Sequence, residues 1–270
     1  MRTVVLADIE LAVEDRGSGP VLLFVHGFPL DHTMWCWQID EFSQRYRVLA
    51  PDLRGFGQST LGDGPVTMRR YADDLAAMLD RLSVKNKIVF CGLSMGGYIA
   101  WQFWQKYAER LAALILCDTR AVADTPQAKT GRAELAARVK AAGPQAAADA
   151  MLPKLFGPEG RAVRAVLQTE PVAETRAAIV RNSPTGIAAA LAGMAERPDS
   201  SDMLAGINVP TLVIVGEHDT LSPPAEMRGI ADRIPGAQFA LIPAAGHMSP
   251  LENPPAFNAA LEHFLRAAAI

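Results

Sequence analysis

The sequence predicts an α/β protein with a mostly parallel sheet, helices on both of its faces, and one helical insertion. Three observations carry this. Val21–Val25, Lys87–Cys91 and Leu111–Cys117 are short, largely apolar runs, as strands covered on both faces are. Stretches of helical period lie between such runs; one of them sets Tyr71, Leu75, Met78 and Leu82 on one face. After Asp118 the alternation stops, and it resumes only at Thr211–Val215. Strands and helices in alternation build a parallel sheet wrapped by helices.

In chain order, Thr3–Ala7 and Ile9–Glu14 are expected to form two antiparallel strands that lead into a turn at Arg16–Pro20. Val21–Val25 runs into His26, Gly27, Phe28 and Pro29. A short helix is expected from Trp35 to Phe42, then the strand Arg47–Ala50 and the turn-rich loop Pro51–Thr60. Thr67 is placed to cap the next helix. The strand Lys87–Cys91 and a helix from Met95 to Tyr107 flank Ser94. From Ala121 to Arg197 the chain is rich in alanine and arginine, and Pro144, Pro153, Pro158, Pro171 and Pro184 should delimit short helices. This block reads as an inserted helical cap, residues 121–197, between the two parts of one core, residues 1–120 and 198–270. A helix near Pro224–Ile234, the strand Gln238–Ile242 and an amphipathic helix from Pro255 through Leu265 complete the core.

Half of the 270 residues are hydrophobic, enough for a large core. A net charge of −3 and a pI near 6.0 provide no basic face for nucleic acid or an anionic membrane. No stretch is long and apolar enough to span a bilayer. Cys36, Cys91 and Cys117 are widely spaced and suggest neither a disulfide framework nor a zinc site. The N-terminus passes directly into strand pattern without a signal-peptide apolar block, so a cytoplasmic protein is expected. No cofactor and no metal are expected, and the sequence sets no oligomeric state.

The stretch VFCGLSMGGY, Val89–Tyr98, places Ser94 where a strand turns into a helix. Gly92, Ser94 and Gly96 fit GxSxG, the nucleophile elbow, in which the glycines give a tight turn room to close. Taken alone, the pattern also fits an ordinary loop serine, so its partners must decide. A serine hydroxyl needs a base, and the base needs an acceptor that fixes its tautomer. Of five histidines, His263 falls on the terminal helix, His26 and His32 flank the loop after the third strand, and His218 directly follows a strand. His247, in a glycine-bounded loop after the last strand, can reach the sheet's carboxyl edge, where open α/β sheets place their sites. Two aspartates end apolar strands. Asp219 is preferred over Asp118 because its loop, GEHD, is long enough to curl toward His247. The order Ser94, Asp219, His247 is that of one fold among the unrelated triad folds. Oxyanion donors are expected at the N–H groups of Met95 and Phe28; Pro29 has none to offer.

Together these blocks resemble the α/β-hydrolase superfamily over essentially the whole chain: HGFP at His26–Pro29, DLRGFGQS at Asp52–Ser59, GLSMGG at Gly92–Gly97, GEHD at Gly216–Asp219 and GHMSPLENP at Gly246–Pro254. The resemblance implies a mostly parallel eight-stranded sheet with an inserted cap and a Ser-His-Asp triad. Small carboxylesterases, 3-oxoadipate enol-lactonases and acyl-homoserine lactonases are the subgroups it looks most like, and HGFP departs from the HGGG of many lipases. Cofactor-free haloperoxidases, which share Pro29, are also similar. The implied activity is hydrolysis of a small ester or lactone through an acyl-enzyme. Gly27, Trp35 and Leu93 are expected to contact substrate in a largely apolar pocket. Trp101 and Trp104 are further aromatic candidates, with core packing as the competing reading. Carbon–carbon bond hydrolysis with the same triad, a perhydrolase side activity and a non-catalytic ligand receptor are the alternatives.

Overall fold

The apolar runs form eight strands: β1 (Arg2–Val5), β2 (Glu10–Arg16), β3 (Val21–Val25), β4 (Arg47–Pro51), β5 (Ile88–Leu93), β6 (Leu111–Cys117), β7 (Thr211–Gly216) and β8 (Gln238–Ile242). The computed structural model describes residues 1–158 and 170–270. One sheet contains all eight strands in the order β1-β2-β4-β3-β5-β6-β7-β8. β1 and β2 pair antiparallel, β2 meets β4 antiparallel, and every later pair is parallel. The strands β3, β5 and β7 are buried along their whole length, which is why their sequences do not alternate.

The described helices, in chain order, are α1 (Cys36–Phe42), α2 (Met68–Arg81), α3 (Met95–Tyr107), α4 (Pro126–Ala142), α5 (Gln145–Leu155), α6 (Pro171–Arg181), α7 (Pro184–Ala195), α8 (Pro224–Arg233), α9 (Ser249–Glu252) and α10 (Pro254–Ala267). Thr67 caps α2, its hydroxyl accepting the Arg70 N–H at 3.0 Å. α1 begins at Cys36 because His32–Trp35 forms a 3₁₀ turn instead of its first turn. β5 reaches Leu93, two residues past the expected end, because it pairs with β6 through Leu93 and Cys117.

Among the described residues, four α-helices, α4 to α7, occupy the chain between β6 and β7. Pro171 and Pro184 start α6 and α7, where a missing N–H costs nothing. Pro153 does not end a helix as expected. It sits in the last turn of α5, where it forfeits one main-chain hydrogen bond near an end. Residues 159–169 of the expected 121–197 cap lie outside the described residues. The block is tied to the core by Asn182, whose amide donates to Pro29 O at 2.8 Å and accepts the Gly57 N–H at 2.6 Å. Arg181 adds an ion pair to Asp31 at 3.1 Å.

Trp35 corrects one expectation. It is fully buried, with its ring 5.0 Å from Phe24 and 6.1 Å from Phe257, so it packs between β3 and α10 and is a core residue, not a wall of a pocket. Trp101 is likewise buried, and its indole N–H donates to Arg120 O at 2.9 Å.

Candidate active site

Ser94 stands at the junction of β5 and α3 in a conformation that most residues avoid, φ 55° and ψ −110°. Such a backbone costs about 1–3 kcal/mol and persists only where its surroundings over-determine it. Here they do. Ser94 N–H donates to Cys117 O at 2.9 Å, and Ser94 O accepts the Thr119 hydroxyl at 2.8 Å as well as the N–H groups of Gly97 and Tyr98. The flanking glycines are required by close approach: a Cβ on Gly92 would lie 2.4 Å from Gly96 O, and one on Gly96 2.4 Å from Val25 O. The side chain of Ser94 is left half-buried, facing a cavity.

Asp219 and His247 meet beyond the ends of β7 and β8. Their loops are joined by the His218 N–H to Ala245 O bond at 2.8 Å. His247 Nδ1 lies 2.8 Å from Asp219 Oδ2, and both residues are buried. The carboxylate partner assigns the proton to Nδ1 and leaves Nε2 as the basic nitrogen. Asp219 also accepts the N–H groups of Leu221 and Ser222 and the Ser222 hydroxyl at 2.7 Å. Burial pushes its pKa up, but the adjacent imidazole and these donors outweigh burial and hold the carboxyl below its ordinary range. Ser94 and His247 line the same cavity, and no hydrogen bond joins them among the described residues.

Asp118, the other strand-end acid, accepts the Gly216 N–H at 2.8 Å and the Ser249 hydroxyl at 2.5 Å. Complete burial and the neighbouring Asp219 charge push its pKa well up, toward the neutral acid. It fastens the β7 end to the start of α9. The remaining histidines have other surroundings. His26 is buried, pairing Nδ1 with Gly27 O and accepting the Leu53 N–H at Nε2. His32 sits 2.6 Å from Asp52, His218 is half-buried, and His263 is exposed.

Among the described residues, two side-chain clusters bring metal-type donor atoms within 4.8 Å of one another: Asp31, His32 and Asp52, and Asp118, Asp219 and His247. In both, N–H and O–H donors occupy the carboxylates. Asp52 accepts His32 N, His32 Nδ1 and Gln58 N, and the second cluster is bonded as described above.

The cavity over Ser94 measures about 200 Å³. Phe28, Tyr98, Leu221, Ser222 and His247 form its lower wall, and α4, α5 and α7 contribute Ala128, Arg132, Met151, Lys154 and Met194 from above. Phe28 and Ser94 thus line one cavity. Gly27 and Leu93 are packed behind the serine, where a Cβ on Gly27 would lie 2.8 Å from the Leu93 side chain, and neither lines the cavity. The lining is also less apolar than expected, because Arg120, Asp124, Arg132 and Lys154 border it. The N–H groups of Phe28 and Met95 are engaged by no described residue. A larger groove of about 510 Å³, lined by Pro210, Thr211 and Gln238, opens at the amino ends of β7 and β8, away from these groups.

Sequence reasoning missed Glu252. Its carboxylate accepts Gly246 N–H at 2.8 Å and Met248 N–H at 3.1 Å, one on either side of His247, and Gly157 N–H at 2.8 Å. Burial raises its pKa to about 7 against the pull of those three donors. The GHMSPLENP block contained this residue, and its position five residues after the histidine was the available signal.

Comparison with known proteins agrees with this architecture. Residues 20–254 match the α/β-hydrolase fold family. A thermophilic esterase from Thermogutta terrifontis superposes with a TM-score of 0.94 at 46% identity, covering 99% of each chain. The enol-lactonase of Burkholderia xenovorans superposes with a TM-score of 0.88 at 30% identity, covering 98% of this chain and all of its own. 3-Oxoadipate enol-lactonase 2 of Acinetobacter baylyi is 28% identical over 98% of this chain and 96% of its own length. With the eight-stranded sheet, the elbow at its centre and the match over most of its length, the chain belongs to the α/β-hydrolase fold family.

Proposed function

We propose that the protein is a serine hydrolase that cleaves small carboxylic esters or lactones through Ser94, His247 and Asp219. The observation that carries this reading is the buried 2.8 Å pair of His247 and Asp219 at the cavity that Ser94 also faces. Esterases and enol-lactonases among the relatives support the same class.

In this mechanism Ser94 Oγ attacks the acyl carbon while its proton passes to His247 Nε2. Asp219 holds the ring by its Nδ1–H and stabilises the imidazolium. The carbonyl oxygen gathers negative charge, which the N–H groups of Phe28 and Met95 offset; neither has another partner among the described residues. His247 returns the proton to the leaving oxygen, and the acyl group stays on Ser94. Water then attacks the acyl carbon, gives its proton to His247, and releases the acid as Ser94 Oγ recovers that proton. With a lactone the leaving alcohol stays attached to the acyl group, and the product is one hydroxy acid. The cavity of about 200 Å³ is below the usual range for drug-sized ligands, which favours short acyl and alcohol groups.

Turnover of p-nitrophenyl acetate and butyrate and of γ-butyrolactone tests this reading. Hydrolysis of at least one, abolished in Ser94→Ala while the circular-dichroism spectrum is unchanged, is the expected result. Undiminished hydrolysis by Ser94→Ala would overturn it.

A further inference from the structure

We propose that Arg132 and Lys154 form an anion subsite in the cavity over Ser94, which receives a carboxylate carried by the substrate away from the bond being cleaved. The inference rests on the ester or lactone reading above and narrows its substrate class.

Charge pairing around the cavity is incomplete. Arg120 is neutralised from outside by Glu226 at 2.8 Å. Asp124 is the one carboxylate among the described lining residues, and two guanidiniums share it. Arg197 is the permanent partner: it lies 2.6 Å from Asp124, donates to Met194 O and Val122 O, and stacks 4.1 Å from the centre of the Tyr98 ring. It is nearly fully buried and has nowhere else to turn. Burial acts to raise the Asp124 pKa, but Arg132 and Arg197 prevail and keep it ionised.

Arg132 is held differently. Its Nε bonds to Asp124, but Nη1 reaches only the Met194 sulfur at 3.4 Å, a weak acceptor. That arm of the guanidinium is open to a better acceptor. Lys154, exposed on α5 and lining the same cavity, pairs with none of the described residues. The two cations thus exceed the charge that Asp124 can balance once Arg197 is counted. Next to a partly desolvated cavity such an excess attracts an anion, and a carboxylate suits both a guanidinium arm and an ammonium. The cavity's modest volume keeps that carboxylate on the same small molecule as the scissile carbonyl.

Monoethyl glutarate and ethyl valerate make the test. They differ by a carboxylate in place of a terminal methyl, and acid release from each is followed by pH-stat. The wild-type protein is expected to favour monoethyl glutarate in kcat/KM by about tenfold at low salt, the size of one charge-assisted hydrogen bond. That preference should shrink with added sodium chloride. Lys154→Gln and Arg132→Gln should each lower it severalfold through KM, and Lys154→Arg should restore most of it. Lys154 is exposed, so its variants test the proposal even if Arg132→Gln disturbs folding. Cleavage of ethyl valerate with no preference for the glutarate monoester would overturn the subsite, as would a preference that survives Lys154→Gln. Failure to cleave either ester, or the small esters above, would instead overturn the hydrolase reading on which the subsite rests.

Discussion

The floor and the roof of the cavity are held by different means. The floor is made of strand ends, and main-chain bonds position Ser94, Asp219 and His247: Ser94 N–H to Cys117 O and His218 N–H to Ala245 O, with the Glu252 carboxylate accepting the Gly246 and Met248 N–H groups on either side of His247. The roof, from α4, α5 and α7, makes one main-chain bond of this kind, Met248 N–H to Leu155 O at the end of α5, and is otherwise tied to the core through side chains, chiefly Arg181 and Asn182 between α6 and α7. A strand-end position is fixed by the sheet's register, so a changed side chain leaves the neighbours in place. A helix docked through side chains can shift with one substitution. Under the proposed mechanism, the geometry of bond cleavage therefore belongs to the floor, and the choice of bond to the roof.

The sharpest way to break this division is at the two strand-end aspartates. Asp219→Asn should lower kcat by about 10⁴, because an amide favours the wrong imidazole tautomer. Asp118→Asn replaces an acid that burial holds toward its neutral form, and it should cost less than about tenfold. Steady-state kinetics on one ester compares the two directly. Equal losses would mean that Asp118 shares the role assigned to Asp219.

At the elbow, Gly96→Ala places a methyl 2.4 Å from Val25 O, inside the sheet. We expect a loss of about 4 kcal/mol or more, or failure to fold, read as a lowered denaturant midpoint. A neutral result would mean that the floor yields as readily as the roof.

Glu252 lies between the two regions, since it bonds both sides of His247 and Gly157. Its folded pKa of about 7 exceeds the ordinary 4.5, so the folded state holds the extra proton between those values. Its contribution is thus most favourable below pH 4.5 and is lost as pH rises toward 7, a change on the order of 3 kcal/mol. Glu252→Gln should flatten this part of the stability–pH curve in urea titrations at pH 5 and pH 8. It should also lower kcat more than it raises KM, because His247 loses its brackets. An unchanged slope would show that another group titrates.

Asn182→Ala is expected to have the smallest effect on chemistry. It leaves the buried Pro29 carbonyl and the Gly57 N–H without their partner, at about 2 kcal/mol, seen as a lower Tm and faster proteolysis between α6 and α7. A kcat loss approaching that of Asp219→Asn would remove the distinction between roof and floor.

The same difference explains what could be read from the sequence. Strands β6 and β8 have the bounds expected of them, because each is a run bounded by turn residues, and the eight-stranded sheet follows the expected fold class. Ser94, Asp219 and His247 stood out because their loops carry glycines that turns require. Trp35 was misplaced: a large aromatic after a site loop has the same one-letter appearance in a core as in a pocket, and only its stacking on Phe24 and Phe257 distinguishes them. The cavity's charges were hidden for a related reason. Asp124, Arg132, Lys154 and Arg197 lie in a segment without a motif, and they meet only when the helices fold back over the strands.

In the proposed mechanism Ser94 carries the acyl group. Reaction with a p-nitrophenyl alkylphosphonate, followed by peptide mass spectrometry, tests it most directly. The prediction is one phosphonyl adduct per chain, on Ser94, formed in step with the loss of esterase activity and absent in His247→Ala. Full esterase activity with no adduct at Ser94, or inactivation with the adduct on another residue, would contradict it.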